Sequence, residues 1–111
     1  MSDLARRELT PPRGEGHKAL EGQALTELYD LLGNNWELIE NHHLEKTYSF
    51  NDFQEALDFT NKIGALAESV DHHPVLCLTW GKVTITIWTH SIGGLSEADF
   101  IFSAKADELF C

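Results

Sequence analysis

Cysteine and long apolar runs are both scarce in this chain of 111 residues. The two cysteines, Cys77 in an apolar run and Cys111 at the C-terminus, belong to no cysteine-rich framework. This excludes a disulfide scaffold and favours a reducing compartment. No run approaches the ~18 apolar residues of a membrane-spanning helix, and the N-terminus lacks the apolar core of a secretory signal. We therefore expect a cytoplasmic protein with no membrane contact.

Basic residues are also few. Lysine and arginine number 8 against 18 aspartates and glutamates, which gives a formal charge of −10 and a pI near 4.8. Nucleic acids and anionic membranes both select basic surfaces, because positive side chains must replace the counterions around phosphate and lipid headgroups. The charge therefore argues against direct nucleic-acid binding. It leaves a neutral or cationic small ligand, or a protein partner, open.

Length and composition indicate one folded domain preceded by an irregular arm. A chain with 42% hydrophobic and 23% charged residues is typical of a soluble globular domain. Residues 1–23 contain Pro11-Pro12 and several glycines without any sustained period. We predict a mobile or surface-draped arm over 1–23 and a single domain over 24–111. His17 falls in the arm and is interpreted as a solvated residue.

Hydrophobic periodicity predicts three helices and two hairpins. Helices are expected over 25–32, from an N-cap at Asn51 to a stop before His73, and after an N-cap at Ser96. Strands are expected over 36–40 and 44–50, and over 75–80 and 83–89. The fold class that follows is α+β, in the order α-β-β-α-β-β-α. It contains a four-stranded antiparallel sheet with helices packed on one face.

The buried faces and the hairpin connections follow from the same patterns. The long helix is expected to bury Phe53, Ala56, Leu57, Ile63, Ala67 and Val70, and the last helix Ala98, Ile101, Phe102 and Leu109. His42 and His43 are interpreted as exposed residues of the first hairpin connection. Gly81-Lys82 is expected to form a type II′ turn in the second hairpin.

Groups that can move protons near neutral pH are concentrated between residues 68 and 99. Imidazole is the side chain whose ordinary pKa, about 6.5, lets it both donate and accept a proton there. His72 and His73 follow the long helix, and His90 ends the last strand. Each histidine alone also fits an ordinary helix-end, loop or strand-end residue. Together they are candidates for a single acid–base site.

Hairpin register provides the reason to group these histidines. With Gly81-Lys82 as the turn, Pro74 lies opposite Thr89. The ends of the two strands, and the histidines next to them, then lie side by side. The three imidazoles could therefore converge on one ligand, as contacts with different parts of it and not as chelators of one ion.

Carboxylates and an aromatic residue complete the candidate site. Asp99 lies in the first turn of the last helix, where the helix dipole alone favours it, but it could also orient a histidine or accept a ligand N–H. Glu68 could face the pocket or be a solvated helix residue. Trp80 could flank a flat heterocycle or be a plain core or interface residue. Asp71 and Thr89 are included as substrate-binding or supporting residues because they adjoin the histidines.

Several familiar sites have no signature here. His-x-His, His-x-x-x-His and Cys-x-x-Cys spacings are missing, so we predict no metal. Cys77 lies in an apolar strand, and neither a Gly-x-Ser-x-Gly elbow nor a phosphate-binding glycine loop occurs. The sequence therefore favours proton transfer by histidine over metal-dependent or nucleophilic chemistry.

Over residues 24–110 the chain resembles the pterin-4a-carbinolamine dehydratase family. The positions that carry the resemblance are Glu68, His72, His73, Pro74, Trp80, His90 and Asp99, together with the flanking run Trp88-Thr-His-Ser-Ile-Gly-Gly-Leu-Ser. Gly33-Asn34-Asn35 departs from the family in lacking the proline often found before the tryptophan. This change affects only a loop.

The resemblance implies a hydro-lyase that converts 4a-hydroxytetrahydropterin to quinonoid dihydropterin. Such an enzyme recycles the pterin of aromatic amino acid hydroxylases and needs no metal or redox cofactor. By position, His72 and His90 are expected to act as acids on the departing hydroxyl, and His73 to orient the pterin and assist removal of the N5 proton. Asp99 would support the site, and Glu68 would contribute peripherally.

The resemblance also implies a homodimer or homotetramer. Because an animal member of the family acts as a dimerisation cofactor for a homeodomain transcription factor, a second hypothesis follows. In that hypothesis the chain is a non-catalytic module that binds a partner helix. Intact His72, His73 and His90 favour the enzyme, since a scaffold would not need them.

Overall fold

The computed structural model describes residues 3–12 and 18–110. His17 and Cys111, which the sequence assigned to the arm and the C-terminus, lie outside the described residues. The elements are helices α1 Asp3–Arg6, α2 Gly22–Leu32, α3 Phe53–Val70 and α4 Glu97–Phe110, and strands β1 Glu37–Ile39, β2 His43–Ser49, β3 Val75–Leu78 and β4 Lys82–Ile87. From α2 onward, the predicted order α-β-β-α-β-β-α is confirmed. None of the described helices is long and apolar enough to cross a membrane.

The four strands form one antiparallel sheet in the order β1-β2-β4-β3. The alternation predicted for β4 is confirmed, since Val83, Ile85 and Ile87 are fully buried beneath the helices. Thr84 and Thr86 face the opposite side and bond across to β2, where the Thr47 and Thr84 hydroxyls lie 2.9 Å apart. The sheet therefore has one buried face and one polar face, as expected for an α+β fold.

The predicted turn of the second hairpin is wrong by one residue. Leu78 pairs with Val83, and the Thr79 N–H donates to the Lys82 carbonyl at 2.8 Å, so the turn residues are Trp80 and Gly81. Neither has a positive φ, so the type II′ turn is also wrong. The strand register shifts by two residues. A shift of two preserves which face each side chain occupies, so the buried set is unchanged.

Helix α3 begins one residue later than predicted. Asp52, not Asn51, is the N-cap, and its carboxylate accepts from the Glu55 N–H at 2.8 Å. The Glu55 side chain in turn accepts from the Asn51 N–H at 3.1 Å, a variant of the reciprocal capping box. Phe53, predicted to be buried, is 44% exposed, whereas the core position is occupied by Phe59.

Helix α4 is buried around most of its circumference. The predicted apolar stripe of α4 is too narrow, because Phe100, Ala104 and Ala106 are also buried while Leu109 is only partly so. The helix packs against β2 and against the three other helices, and α1 contributes Leu4, which is fully buried. A helix enclosed in this way has no solvent stripe to show in its sequence.

The described part of the N-terminal arm contacts this central helix. The Lys105 Nζ donates to the Ala5 carbonyl at 2.7 Å, and Arg7 forms an ion pair with Glu97 at 2.9 Å. The division of the chain at residue 24 stays a prediction.

Candidate active site

The end of α3 determines how His72 enters the site. Asp71 adopts a left-handed backbone with φ 52° and ψ 46°, a conformation that aspartate tolerates better than most residues. The His72 N–H donates to the Ala67 carbonyl as in a Schellman motif, and the Asp71 N–H donates to the same carbonyl as in an αL motif. The chain therefore turns sharply off the helix, and the His72 side chain is buried to 7% exposure.

Asp99 is the acceptor at the centre of a buried hydrogen-bond network. His72 Nε2 donates to its Oδ1 at 2.6 Å, and the Thr89 hydroxyl and the Ser96 N–H each donate to Oδ2 at 2.8 Å. Asp99 is fully buried, so these donors replace the water that its carboxylate would otherwise bind. An ionised carboxylate only accepts, so Nε2 of His72 carries a proton.

Two of these partners come from the ends of β4 and of α4. Thr89 follows β4, and its backbone pairs with Gly94 across a short loop that includes the 3₁₀ turn His90–Ile92. Ser96 immediately precedes α4, so Asp99 reaches back to the residue before the first turn of its own helix, as in a capping box. The network thus joins α3, β4 and α4 at one point.

A cavity of about 400 Å³ opens beside this network. A volume of this size is sufficient for a small organic ligand. Its lining residues are Pro11, Pro12, Asp71, His72, His73, Trp88, Thr89, His90 and Ser91. The structure therefore brings the three predicted histidines together with Asp71 and Thr89, and places Asp99 directly behind His72.

Extension of the observed β3–β4 register explains this convergence. Val75 pairs with Thr86, so continuation past the strand ends places His72, and not Pro74, opposite Thr89. Both side chains then reach the same carboxylate of Asp99. The predicted opposition of Pro74 and Thr89 was wrong in detail, but the error of two residues kept the histidines on the same side.

His73 is much more exposed to solvent than His72. Its Nε2 donates to Glu68 at 2.5 Å, and its Nδ1 lies 3.9 Å from Asp71. His73 is 52% exposed at the side chain and Glu68 is 80% exposed, so solvent screens this pair strongly. Glu68 therefore orients His73 from outside the cavity.

Trp88 positions His90. The two rings are stacked with centroids 4.3 Å apart and planes 20° apart. His42 and His43 pack against the same indole at 5.4 and 6.0 Å. Both are partly buried, and His43 begins β2, so their interpretation as exposed connection residues was wrong. A contact between segments so far apart in sequence leaves no local signal.

Trp80 is not part of this group. It lies in the β3–β4 turn, 68% exposed, at the end of β4 opposite to Thr89 and about 20 Å away along a strand of six residues.

The sequence did not predict roles for Ser96 in the Asp99 network or for Pro11, Pro12 and Ser91 in the cavity. Ser96 was predicted as an N-cap, and the aspartate three residues later was the available signal. The proline pair had none.

The chemistry available here is proton transfer. No three His, Cys, Asp or Glu side chains among residues 3–12 and 18–110 form a group that could hold a metal ion. Imidazoles of contrasting burial line the cavity, and His72 is held in one tautomer by a buried carboxylate, as in many acid–base sites.

Comparison with known proteins gives consistent relationships. Residues 18–109 match the sequence family described as Pterin 4 alpha carbinolamine dehydratase. A relative from Rubrobacter xylanophilus, named by inference as a pterin-4-alpha-carbinolamine dehydratase, is 47% identical over 109 residues, which cover 98% of this chain and 100% of that protein. A relative from Alkaliphilus metalliredigens with the same inferred name is 44% identical over 108 residues, covering 97% of this chain and 96% of that protein.

Two solved structures share the fold. A transcriptional coactivator/pterin dehydratase from Brucella melitensis superposes with a TM-score of 0.78 at 25% identity, covering 85% of this chain and 100% of that one. A pterin dehydratase-like protein described as a RuBisCO assembly factor in the alpha-carboxysome superposes with a TM-score of 0.60 at 23% identity, covering 71% of this chain and 93% of that one. The second likeness concerns the fold alone.

Proposed function

This chain belongs to the pterin 4 alpha carbinolamine dehydratase family, and from that premise we propose that it removes water from a 4a-hydroxytetrahydropterin to give a quinonoid dihydropterin. The observation that carries the proposal is the cavity lined by His72, His73 and His90, with His72 oriented by the buried Asp99. As a hydro-lyase, the protein would be a 4a-hydroxytetrahydrobiopterin dehydratase.

The reaction requires one proton to be delivered and one to be removed. The C4a–O bond breaks as the hydroxyl is protonated and leaves as water. The N5–H bond breaks as its proton is taken, and its electron pair forms the C4a=N5 double bond. Both steps are acid–base steps with no change in oxidation state, and each positioned proton-transfer group is typically worth about 10²–10⁴-fold in rate.

The orientation of His72 suits it to act as the acid on the departing hydroxyl. Its Nε2–H is committed to Asp99, so Nδ1 is the nitrogen left to exchange a proton with a ligand. His90, held by its stack on Trp88, would assist as a second acid on the hydroxyl.

His73 is suited to orienting the pterin and removing the N5 proton. Its Nε2–H donates to Glu68, so the neutral ring presents an unprotonated Nδ1, the atom that a base requires. Exposure of His73 lets the acquired proton pass to solvent. Asp71 and Thr89 would support binding from the cavity wall, whereas Trp80 has no role in this scheme.

The setting proposed for this activity is cytoplasmic recycling of the pterin used by an aromatic amino acid hydroxylase, whose link to this chain would be functional. We also propose a homodimer or homotetramer. Strand β3 lies at the edge of the sheet, so among the described strands its backbone has a neighbour on one side alone. Its sequence is apolar, and Val75 is 49% exposed. Such edges favour pairing with another chain.

The other candidate function is a non-catalytic dimerisation module that binds a partner helix. The observation that favours it is the likeness to the Brucella melitensis protein, which is described as a transcriptional coactivator as well as a pterin dehydratase. In that case the three cavity histidines would be dispensable, whereas the apolar residues exposed at the β3 edge, such as Val75, would be required.

The deciding experiment is a dehydratase assay. A pterin-dependent hydroxylase generates 4a-hydroxytetrahydropterin in situ, and the purified chain is added while quinonoid dihydropterin is followed by absorbance. We expect His72→Ala and His73→Ala each to lose about 10²-fold or more in rate while remaining folded. Lys62→Ala, at an exposed residue of α3 outside the cavity lining, is the control and should retain most activity. The proposal would be contradicted if both cavity variants worked at the wild-type rate, or if the wild type did not accelerate the reaction.

A further inference from the structure

The N-terminal arm supplies part of the cavity wall. Pro11 and Pro12 are half-buried and line the same cavity as the histidines, although about 60 residues separate them from His72 in sequence. They also precede the segment that matches the family, which begins at residue 18. These two residues therefore belong to the site in space but lie outside the residues that the family model matches.

The chain is fixed on the N-terminal side of the two prolines. Leu4 is fully buried and Ala5 is 6% exposed, where α1 packs against α4. The Lys105 Nζ donates to the Ala5 carbonyl at 2.7 Å, and Arg7 pairs with Glu97 at 2.9 Å. Burial of this apolar surface stabilises the packed position of α1.

The chain is fixed again on their C-terminal side, close to the His90 loop. The Leu20 N–H donates to the Leu95 carbonyl at 2.7 Å. Ala19 packs so closely on Gly94 that a Cβ at residue 94 would lie 2.6 Å from the Ala19 Cβ. The Ser91 hydroxyl lies 3.5 Å from the Pro12 carbonyl oxygen. The prolines are thus held against the loop that carries His90.

Proline is well suited to a wall beside a flat ring. Its ring is apolar, has no N–H that needs a partner, and loses almost no side-chain conformational entropy when a ligand covers it. The remaining cavity residues are mostly imidazoles, hydroxyls and a carboxylate. Ligand sites commonly combine an apolar surface for shape with a few polar groups for orientation.

We infer that Pro11 and Pro12 contact the face of the bound pterin ring and hold it against the cavity histidines, and so determine affinity for the heterocycle. This inference rests on the proposed function for its ligand. The prolines carry no proton-transfer group, so they act on binding and not on the chemical step.

The test compares two pairs of glycine substitutions in the same arm. The Pro11→Gly/Pro12→Gly variant removes both rings, whereas Glu8→Gly/Thr10→Gly introduces two glycines into the same arm at exposed residues outside the cavity. We expect the first pair to raise KM by about fivefold to tenfold with kcat within about twofold of the wild type. The second pair should leave both constants unchanged. Circular dichroism and thermal unfolding verify that both variants are folded.

A binding measurement separates this inference from the proposed function. Dissociation constants for a stable 7,8-dihydropterin, measured by calorimetry, should rise for the proline variant by the same factor as KM. A wild type that binds the dihydropterin without dehydrating the carbinolamine would overturn the proposed function, while the prolines would still be judged by their binding constants. Equal affinity of wild type and proline variant would overturn the inference, as would a loss confined to kcat. A wild type that neither binds nor converts pterins would overturn both.

Discussion

Helix α4 carries two aspartates, Asp99 and Asp107, that each accept several hydrogen bonds but serve different purposes. They lie eight residues apart, about 12 Å along the helix axis. Asp99 accepts from His72, Thr89 and the Ser96 N–H beside the cavity. Asp107 accepts from Trp36 Nε1 at 3.0 Å, from Lys46 Nζ at 2.8 Å and from the Tyr48 hydroxyl at 2.5 Å.

The difference lies in what the partners can do with a proton. Lys46 forms an ion pair with Asp107, and burial together with the Asp107 hydrogen bond raises the pKa of Tyr48, so its phenol stays neutral. That network ties β2 to α4 and exchanges no proton. The partner of Asp99 is an imidazole that lines the cavity and can release a proton to a ligand. Burial alone therefore does not show whether a carboxylate has a functional role. The groups that it bonds do.

The largest expected contrast comes from the same isosteric change at both sites. Asp99→Asn puts an amide where three donors converge, so one donor loses its acceptor and His72 loses its enforced tautomer. We expect dehydratase activity to fall by about 10²-fold or more, as when the carboxylate behind a catalytic histidine is neutralised. Asp107→Asn should instead cost about 1–3 kcal/mol of stability, with activity per folded molecule within about twofold of the wild type.

Steady-state rates, normalised to the folded fraction from denaturant titration, check this pair. Equal activity losses per folded molecule at Asp99 and Asp107 would contradict the distinction between the two networks.

Removal of one donor sharpens the comparison further. Thr89→Val keeps the shape of the side chain but removes the hydroxyl that donates to Asp99, leaving buried oxygen with one partner fewer. We expect a loss of about 1–3 kcal/mol in stability and a smaller activity loss than for Asp99→Asn. Thr84→Val is the matched control, because its hydroxyl bonds Thr47 on the exposed sheet face. It should cost less than about 0.5 kcal/mol in a denaturant titration, and equal costs at both positions would contradict the proposed importance of the network.

The Asp107 network predicts its own pH dependence. The pKa of Tyr48 is raised in the folded state, so its contribution to stability is complete below the usual tyrosine pKa of about 10 and is lost as pH rises above it. Tyr48→Phe should be less stable by about 1 kcal/mol near neutral pH, through the lost hydrogen bond to Asp107. Above about pH 10 the gap should narrow by up to about 1.4 kcal/mol per pH unit. Denaturant titrations across this range measure the gap, and a constant difference would contradict the prediction.

Much of this site could be predicted from sequence, because its signals are local. The β4 alternation gave the buried face, and His72, His73 and His90 lie at element ends that any hairpin of this length brings together. Even a register error of two residues preserved the faces. Asp52 and Asn51 are adjacent and equally good caps, so only packing could choose between them.

The features that the sequence did not reveal depend on contacts between distant segments. Nothing local indicates that His42 and His43 pack on Trp88, or that Pro11 and Pro12 reach the cavity. Trp80 was expected near the site because its aromatic ring and its position in the family pattern resemble those of a ligand contact. The hairpin places it at the turn at the far end of β4, in the predicted register as in the observed one. Residue type alone could not show which of these side chains lie at the cavity and which lie away from it.

The smallest effect is expected where an acid–histidine pair faces solvent. Glu68 bonds His73 as Asp99 bonds His72, but Glu68 is 80% exposed and the pair is screened by water. We therefore expect Glu68→Gln to lower activity by less than about fivefold, and the loss to shrink as salt is added. Asp99→Asn should be insensitive to salt, since no solvent reaches its carboxylate. Rates measured at low and high ionic strength compare the two, and a large salt-independent loss at Glu68 would show that exposure does not separate the two histidine pairs.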